Sequence, residues 1–406
     1  MIPVGTAKQE NVIKRSCGKP VILTFIGNYL PGYKAGGILR TIANTVDYLC
    51  EEFEFLIVTQ DRDLLESAPY PDITVKQWQV VGGAKVYYLP PQSCTVRNLA
   101  KLVTEIPHDI LYLNSFFDPV FTIKLLVARK LGWLPTKPLI FAPRGELVEG
   151  PLKLKYPKKF AYIQLAKLLG LYKDMVWQAS SKYEAQDFVR VMNIKPAAIH
   201  VALDLPFKTL PELEEVESGG PVFDSAALRI VFLSRISREK FLDYALKVLA
   251  KVTARVIFDI YGPAENATYW QECQELIGRL PANVTVNYFG GVKPELVLQI
   301  LSRYDLFFFP TNGENYGHVI AEALMAGTQV LISNETPWRN LQADGLGWDL
   351  SLAQMDSFVT IIETLALASE EEHLQKRALI RVKIMERLYD PAVLEENRQL
   401  FRRQLI

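Results

Sequence analysis

Residues 306–324 read LFFFPTNGENYGHVIAEAL, and this stretch decides the fold of the second half of the chain. Four apolar residues without alternation predict a strand that is buried on both faces, as in parallel sheets. Pro310, Gly313 and Gly317 predict a loop, and the residues that follow have the apolar spacing of a helix. A buried strand, a glycine-containing loop and a helix in this order predict one unit of a doubly wound α/β sheet.

Apolar runs and helical stretches alternate on both sides of this segment. The apolar runs lie at 21–26, 53–58, 110–113, 138–142 and 175–179, then at 229–233, 254–261, 284–289, 306–309 and 329–332. Helical spacing is clearest at 239–252 and 317–326. Because ligands of such sheets bind at the carboxyl ends of the strands, we expect functional residues directly after the apolar runs.

The two series are separated by residues 206–221, which read PFKTLPELEEVESGGP and predict a linker. We therefore expect an α/β protein with two doubly wound, Rossmann-like parallel-sheet domains that face one another across a cleft. The first domain is predicted at 1–208 and the second at 222–389. A final helix at 390–406 docks back on one of them, in our preferred assignment the first.

Composition excludes several classes of protein. The 406 residues are 49% hydrophobic, and 45 basic side chains balance 45 acidic ones, which excludes a strongly basic nucleic-acid binder and an acidic disordered chain. Residues 1–208 nevertheless hold 26 basic and 18 acidic side chains, a net charge of +8, against −8 for the remainder. The four cysteines have no paired spacing, which predicts a reducing compartment. The polar N-terminal stretch and the lack of an apolar run of ~18 residues predict that the chain has no signal peptide and no membrane span. We therefore expect a cytoplasmic protein.

Two glutamates mark the segment 306–324 as a candidate site. Glu314 lies in the predicted loop, and Glu322 lies eight residues later on the predicted helix. The free N–H groups of a helix start favour an anion such as a diphosphate. A buried Glu322 needs a hydrogen-bond partner, for which a ribose diol is suitable. The alternative is that Glu314 caps the helix and Glu322 forms a salt bridge.

Two further segments follow predicted strands. Arg235 and Lys240 come after the strand at 229–233, where a basic pair suits a diphosphate, although surface cations near a helix start are the alternative. Residues 25–37, FIGNYLPGYKAGG, place glycines between a strand and a helix. This is not the GxGxxG pattern, so a nicotinamide oxidoreductase is disfavoured and an ordinary turn remains open.

The chain resembles the retaining glycosyltransferases of family 4, of the polysaccharide-building type, over almost its whole length. The strongest markers are Glu314 and Glu322, which match the family's E-x7-E pattern, and the Arg235/Lys240 pair. Other matching segments are Gly36-Gly37, Pro143-Arg144-Gly145, Ser180–Glu184 and Gly345–Leu352. The resemblance implies the GT-B architecture, with an acceptor-binding first domain and a second domain that binds a nucleotide-sugar.

The resemblance also implies roles for the matched residues. Arg235, Lys240 and Glu314 are the expected catalytic residues, with the two cations on the donor diphosphate and Glu314 on the donor sugar. Glu322 would bind the ribose hydroxyls. Other donor or nucleotide contacts would come from Asn315, Tyr316, Gly317, His318, Val319, Gly291, Val292 and Gly37. Gly36 and Arg144 would lie on the acceptor side.

The reaction implied is transfer of a sugar from a nucleotide-diphosphate-sugar to a glycan or polyprenyl-linked acceptor in surface-polysaccharide synthesis, with retention of configuration (EC 2.4) and without a cofactor or a metal. Many relatives have an acidic residue shortly after the paired glycines, where Ile38, Leu39 and Arg40 follow here. Asparagine is frequent at the position of Phe241, so the donor and acceptor preferences stay open. A GT-B nucleotide-sugar epimerase and an inactive membrane-associated binding module are the alternatives. The sequence names neither the nucleobase nor the sugar.

Two other segments carry weaker predictions. Asp61-Arg62-Asp63 imitates an Asp-x-Asp metal motif, but we expect a solvated loop and no metal. Residues 151–175 hold six lysines and one acid, Asp174, interleaved with aromatic and aliphatic residues. This pattern fits either a core helix with a solvated lysine face or peripheral contact with an anionic membrane, in this case the inner face of the plasma membrane.

Overall fold

A computed structural model describes residues 18–153, 156–208 and 227–405, with no side-chain description for 151 and 153. The chain forms two compact units. The first comprises Met1–Lys208 together with Pro391–Ile406, and the second comprises Thr209–Asp390. Residues 209–221 of the predicted linker lie outside the described residues.

The first unit contains an eight-stranded sheet in the order β3-β4-β2-β1-β5-β6-β7-β8. All neighbouring strands run parallel except β3 and β4. The strands are β1 Val21–Phe25, β2 Glu54–Gln60, β3 Trp78–Val81, β4 Ala84–Leu89, β5 Ile110–Asn114, β6 Leu139–Ala142, β7 Val176–Ala179 and β8 Ile199–Val201. Every residue of β1, β5 and β6 is buried, which confirms strands covered on both faces.

Helices cover both faces of this sheet. They are α1 Gly37–Leu49, α2 Val96–Glu105, α3 Lys124–Lys130, α4 Glu149–Lys153, α5 Tyr156–Leu169 and α6 Lys182–Met192. Sequence patterns did not predict the β3–β4 hairpin, because β3 is short and none of its residues is buried. Its turn contains Gly83, where an added Cβ would lie 2.7 Å from the Cβ of Cys50, so the hairpin packs tightly on the end of α1.

The second unit contains a six-stranded sheet in the order β11-β10-β9-β12-β13-β14, parallel throughout its described strands. The strands are β9 Leu228–Leu233, β10 Val256–Tyr261, β11 Val284–Gly290, β12 Leu306–Phe309, β13 Gln329–Ser333 and β14 Gly347–Leu350. The helices are α7 Leu242–Leu249, α8 Ala267–Ile277, α9 Val297–Leu301, α10 His318–Met325, α11 Leu341–Asp344, α12 Met355–Ala366 and α13 Glu370–Leu388.

Two sequence predictions for this unit differ from the structure. β11 is an edge strand with only Val284 buried, so the expectation that it is covered on both faces is wrong. The helix predicted at 239–252 begins later, at Leu242, because Arg238–Lys240 form a 3₁₀ turn and Phe241 has a positive φ of 53°. That extra turn places Lys240 at the carboxyl edge of the sheet and outside the helix.

The last helix, α14, spans Pro391–Arg402 and belongs to the first unit. Phe401 is fully buried, and its ring lies 5.5 Å from that of Phe53 and 5.6 Å from that of Tyr112, measured between centroids. Arg398 and Arg402 both pair with Glu52, each at 2.6 Å. Aromatic burial and these ion pairs hold the helix against the strands of the first sheet. None of the helices in the described part of the chain is long and apolar enough to cross a membrane.

Candidate functional site

The loops after β9 and β12 meet at the carboxyl edge of the second sheet. From β9 the chain proceeds outward through β10 and β11, whereas from β12 it proceeds in the opposite direction through β13 and β14. Open α/β sheets bind ligands at the point where the strand order reverses in this way. Arg235 and Lys240 follow β9, and Glu314 follows β12, so these three residues lie at the reversal point.

Lys240 forms an ion pair with Glu314 at this point. The Lys240 side chain is 12% exposed and that of Glu314 is 14% exposed. Charges that are largely withdrawn from water attract one another more strongly and are screened less by salt. The Glu314 carboxylate thus bonds to Lys240, while the N-cap position of the following helix, α10, is occupied by Gly317.

Hydrogen bonds fix the loop that carries Glu314. The carbonyl oxygen of Glu239 accepts from the backbone N–H of Asn312 at 2.8 Å and from Oγ1 of Thr311 at 3.1 Å. The N–H of Glu314 itself donates to the carbonyl oxygen of Glu335 at 3.1 Å. The loop after β12 is thus tied both to the residues after β9 and to those after β13.

Arg235 lies just beyond the end of β9 and pairs with Glu265 at 2.9 Å. Both side chains are about a third exposed, and such a pair contributes at most about 1 kcal/mol, so a bound anion can replace Glu265 at small cost. Gly262 allows this arrangement. Its φ is +138°, and an added Cβ would lie 1.8 Å from the carbonyl oxygen of Ser234, so only glycine lets the two loops approach this closely.

The helix α10 begins at His318, directly after Gly317, and has no acidic residue in its first turn. Gly317 provides the left-handed N-cap, with φ 78°. Tyr316 is held by Nε1 of Trp338, which donates to its carbonyl oxygen at 2.6 Å, and its ring packs edge-on against that of His318. The positive dipole end of a helix start suits an anion.

Glu322 lies in the second turn of α10 and is 6% exposed. Ala321, Ala323 and Leu324 beside it are also buried. Asn315 and Val319 flank the start of the helix and are partly exposed. The residues predicted at 314–322 therefore form one continuous strip from the loop after β12 into α10.

Gly290 ends β11 at the same edge of the sheet. Its carbonyl oxygen accepts from the N–H of Gly262 at 2.7 Å, which joins it to the loop beside Arg235. Its φ is 73°, and an added Cβ would meet no atom within 4 Å, so the space around it is open. Gly291 and Val292 follow in this turn. The structure thus places the predicted nucleotide-side residues of the second unit in neighbouring loops and in the first two turns of α10.

Gly36, Gly37 and Arg144 belong to the first unit. Gly36 is the N-cap of α1, with φ 71°, and Gly37 is its first residue. Both are exposed, the helix has no side-chain cap, and its first turn has no acidic residue. These glycines follow β1, beside β5, where the strand order of the first sheet reverses.

Arg144 has a different environment from Gly36 and Gly37. Its side chain is 2% exposed and pairs with Asp204 at 3.1 Å, and its Nε donates to Asn114 at 3.0 Å. Asp204 also accepts from Oγ1 of Thr41 on α1 at 2.7 Å. Burial raises the pKa of Asp204, and the nearby guanidinium opposes that rise. A direct contact between Arg144 and an acceptor stays a prediction.

The segment Asp61-Arg62-Asp63 is not the solvated loop that we expected. Asp61 is 3% exposed and Asp63 is 7% exposed. Asp61 accepts from Nε of Arg62 at 2.8 Å, and Asp63 accepts from the backbone N–H groups of Tyr33 and Lys34. Within residues 18–153, 156–208 and 227–405, no three His, Cys, Asp or Glu side chains are grouped closely enough to hold a metal ion.

Sequence reasoning missed Glu265 and Trp338. Each acts on a site residue that is distant in sequence, by 30 positions for Glu265 on Arg235 and by 22 for Trp338 on Tyr316. Local patterns carry no signal for such contacts. Asp63 was predicted to lie in a solvated loop, whereas its side chain is buried.

Comparison with known proteins agrees with this arrangement. Residues 218–378, most of the second unit, match the family model for glycosyl transferases group 1. The "Uncharacterized 41.2 kDa protein in cps region" of Klebsiella pneumoniae is 24% identical over 242 residues, which cover 59% of this chain. The match spans 63% of that protein, less than two thirds of its length.

Solved structures match nearly the whole chain. HepE of Anabaena, solved in complex with UDP and glucose, gives a TM-score of 0.64 at 17% identity, covering 95% of this chain and 99% of HepE. WaaG, a glycosyltransferase involved in lipopolysaccharide biosynthesis, gives 0.64 at 14% identity, covering 93% and 99%. The sucrose-phosphate synthase of Thermosynechococcus elongatus gives 0.65 at 13%, covering 95% and 99%. The chain therefore has the GT-B glycosyltransferase fold, and its second unit matches glycosyl transferases group 1.

Proposed function

We propose that the protein is a glycosyltransferase that moves a sugar from a nucleotide-diphosphate-sugar to a glycan or polyprenyl-linked acceptor in the synthesis of a cell-surface polysaccharide. One observation carries this assignment. Arg235, the Lys240–Glu314 pair and the N-terminal end of α10 lie together where the strand order of the second sheet reverses. All of them fall within the residues that match glycosyl transferases group 1.

The charges at this edge suit a leaving diphosphate. Arg235 contributes a forked donor, Lys240 a point charge, and α10 the positive end of its helix dipole. Negative charge grows on the diphosphate as the sugar–phosphate bond breaks, and fixed positive groups aimed at that charge stabilise the transition state. Glu314 holds Lys240 in place and accepts hydrogen bonds from hydroxyl groups of the donor sugar. Glu322 accepts hydrogen bonds from the ribose hydroxyl groups.

We assign the enzyme to the retaining type of family 4, acting without a metal or cofactor. In this reaction the bond from the anomeric carbon to the diphosphate oxygen breaks, and a bond from that carbon to the acceptor oxygen forms on the same face. The acceptor's proton passes to the departing diphosphate. Cationic side chains and helix N–H groups here supply the charge stabilisation that a bound metal supplies elsewhere.

The relatives narrow the substrates that we propose. HepE was solved with UDP and glucose, so UDP is the first nucleotide to test. The cps-region relative and the lipopolysaccharide enzyme WaaG favour a surface glycan as the acceptor. Within this chain, Gly36 and Gly37 of the open α1 start contribute to binding the donor phosphate or the acceptor.

The helix α5 supports membrane association in this proposal. Ile163 and Ala166 are buried, whereas Phe160 is 45%, Leu165 52% and Leu168 84% exposed. Lys158, Lys159 and Lys167 lie on this helix, and Lys173 follows it. An exposed apolar face with surrounding cations suits an anionic lipid surface, where each cation contributes roughly 1 kcal/mol.

A thermal-shift screen against UDP-, GDP- and ADP-sugars tests the donor, since a bound ligand stabilises the fold by mass action. We expect one nucleotide class to raise Tm, and that donor to give a new glycoside by mass spectrometry when a glycan acceptor is added. Stabilisation with conversion of the donor sugar to its epimer would favour the epimerase. If no nucleotide-sugar shifts Tm, the proposed function is wrong.

Vesicle flotation tests the membrane surface. We expect salt-sensitive binding to phosphatidylglycerol vesicles and weak binding to phosphatidylcholine vesicles. Leu168→Glu should abolish binding, whereas Leu367→Glu, an 88% exposed leucine in the second unit, should not. Equal binding by both variants would place the membrane surface elsewhere.

A further inference from the structure

The loop of residues 27–36, here named the glycine loop, is held by a buried carboxylate. Oδ2 of Asp63 accepts from the backbone N–H of Tyr33 at 2.9 Å and from that of Lys34 at 3.1 Å. Oδ1 accepts from the N–H of Leu64 at 2.8 Å. Asp63 is 7% exposed, so these bonds are shielded from water and each contributes more than an exposed one.

Other side chains fix the earlier part of the same loop. The Tyr88 hydroxyl donates to the carbonyl oxygen of Leu30, and the Tyr70 hydroxyl donates to that of Tyr29 at 3.3 Å. An added Cβ at Gly32 would lie 2.1 Å from the Tyr70 hydroxyl and 2.9 Å from Oδ1 of Asp63. The glycine at this position therefore allows the loop backbone to pack directly against Tyr70 and Asp63.

The loop ends where the first unit offers an open surface. Asp63, Tyr70 and Tyr88 hold residues 29–34 by hydrogen bonds. Gly36, two residues further along the chain, is exposed, and no atom lies within 4 Å of an added Cβ there. The strand order of the first sheet reverses between β1, which the loop follows, and β5. A rigidly held loop that ends in accessible glycines at such a point is built to place backbone against a ligand.

Resting on the proposed function, we propose that Asp63 is a positioning residue for the transfer reaction. It fixes the glycine loop, and through it Gly36 and Gly37, in the geometry that the bound substrates require. In this role Asp63 acts through the backbone of the glycine loop and not through contact with a substrate or a metal. Misplacement of a catalytic element by ~1 Å lowers turnover about 10²-fold, which is the size of effect that loss of this clamp should produce.

Asp63→Asn tests the role, because asparagine keeps the shape of the side chain and directs an N–H₂ group at backbone donors. The matched control is Asp61→Asn. Asp61 is just as buried and lies two residues away, but its carboxylate accepts from the Arg62 guanidinium and not from the glycine loop. We expect Asp63→Asn to lower kcat for transfer roughly 10- to 100-fold and Asp61→Asn to lower it less than about threefold.

Two further measurements separate positioning from general damage. Affinity for the free nucleotide, which we assign to the second unit, should change less than about twofold in either variant. Hydrogen–deuterium exchange of a peptide covering 29–37 should accelerate in Asp63→Asn alone. Unaltered exchange, an equal loss of kcat in both variants, or wild-type kcat with a loosened loop would each overturn the role of Asp63. If the wild type transfers no sugar although it binds nucleotide, the proposed function fails, while the exchange data still report whether Asp63 holds the loop.

Discussion

Lys240 and Glu314 form an ion pair although they are 74 residues apart in the chain and follow different strands, β9 and β12. The pair joins the two halves of the second sheet where their order reverses. A phosphate that enters this edge meets a lysine that is already held in place. The cost of fixing a long, flexible side chain is therefore met largely on folding rather than on binding.

Removal of either partner should abolish turnover. Lys240→Met leaves the Glu314 carboxylate partly buried without its partner, and Glu314→Gln does the reverse for the ammonium group. We expect at least a 100-fold loss of kcat/KM for each, and a loss of about 1–3 kcal/mol in the free energy of unfolding, by urea titration. Lys247→Met, which breaks a half-exposed pair with Asp243, is the control and should cost under about 1 kcal/mol with normal turnover. Near-normal transfer by both site variants would show that the reaction occurs elsewhere.

Glu265 competes with the donor for Arg235 in our assignment. Glu265→Gln removes the 2.9 Å ion pair and leaves the guanidinium available. Since an exposed pair contributes about 0.2–1 kcal/mol, the affinity for nucleotide diphosphate should rise up to about fivefold in isothermal titration. The control is Glu272→Gln, which frees Arg238, the residue 3 positions after Arg235, from its own ion pair. This change should leave the affinity for nucleotide diphosphate unchanged. A lower affinity in Glu265→Gln would mean that Glu265 itself supports donor binding.

Gly262 and Gly290 should differ sharply in their tolerance of a methyl group. Gly262→Ala forces a Cβ to within 1.8 Å of the Ser234 carbonyl oxygen, so the loop that carries Arg235 must move. We expect a loss of more than about 2 kcal/mol in stability, together with weakened nucleotide binding. Gly290→Ala meets open space and should cost only about 1 kcal/mol, from its positive φ of 73°. Equal effects, measured by urea unfolding and titration, would show that the loop contact is not needed.

Glu184 should make the stability of the first unit depend on pH. It is buried and accepts from the N–H groups of Gly145 and Ser180, but burial dominates and raises its pKa. Protonation therefore favours the folded state. This stabilisation is complete below the unfolded pKa of about 4.3 and is lost as the pH rises through the folded value.

Glu184→Gln removes that titration. The urea midpoint of the wild type, relative to the variant, should thus fall as the pH rises from 4 to about 8. Glu51→Gln, at an 85% exposed side chain of the same unit, is the control, and its difference from the wild type should change little. A wild-type midpoint that rises relative to Glu184→Gln over this range would contradict the direction of the pKa shift.

Much of this architecture could be predicted from the sequence, because buried parallel strands leave uninterrupted apolar runs such as 306–309 and 329–332. Charged residues that follow such runs predicted Arg235, Lys240 and Glu314 as site residues, and the structure places all three at the same edge of the second sheet. The partner of Arg235 could not be predicted in this way, since Glu265 approaches it through a loop contact that no local period encodes. Asp63 was misjudged for a related reason. Its polar neighbours suggest solvent, but backbone N–H groups 29 and 30 residues away bury and satisfy its carboxylate.

The return of α14 to the first unit has a consequence for how the protein is made. Phe401 fills a space beside Phe53 and Tyr112, but it is synthesised only after all of residues 209–390. At ~5–20 residues per second, translation of that stretch takes about 10–40 s. During this interval the first unit lacks the helix that packs against Phe53 and Tyr112. The first unit can therefore complete its core only after the whole of the second unit has been synthesised.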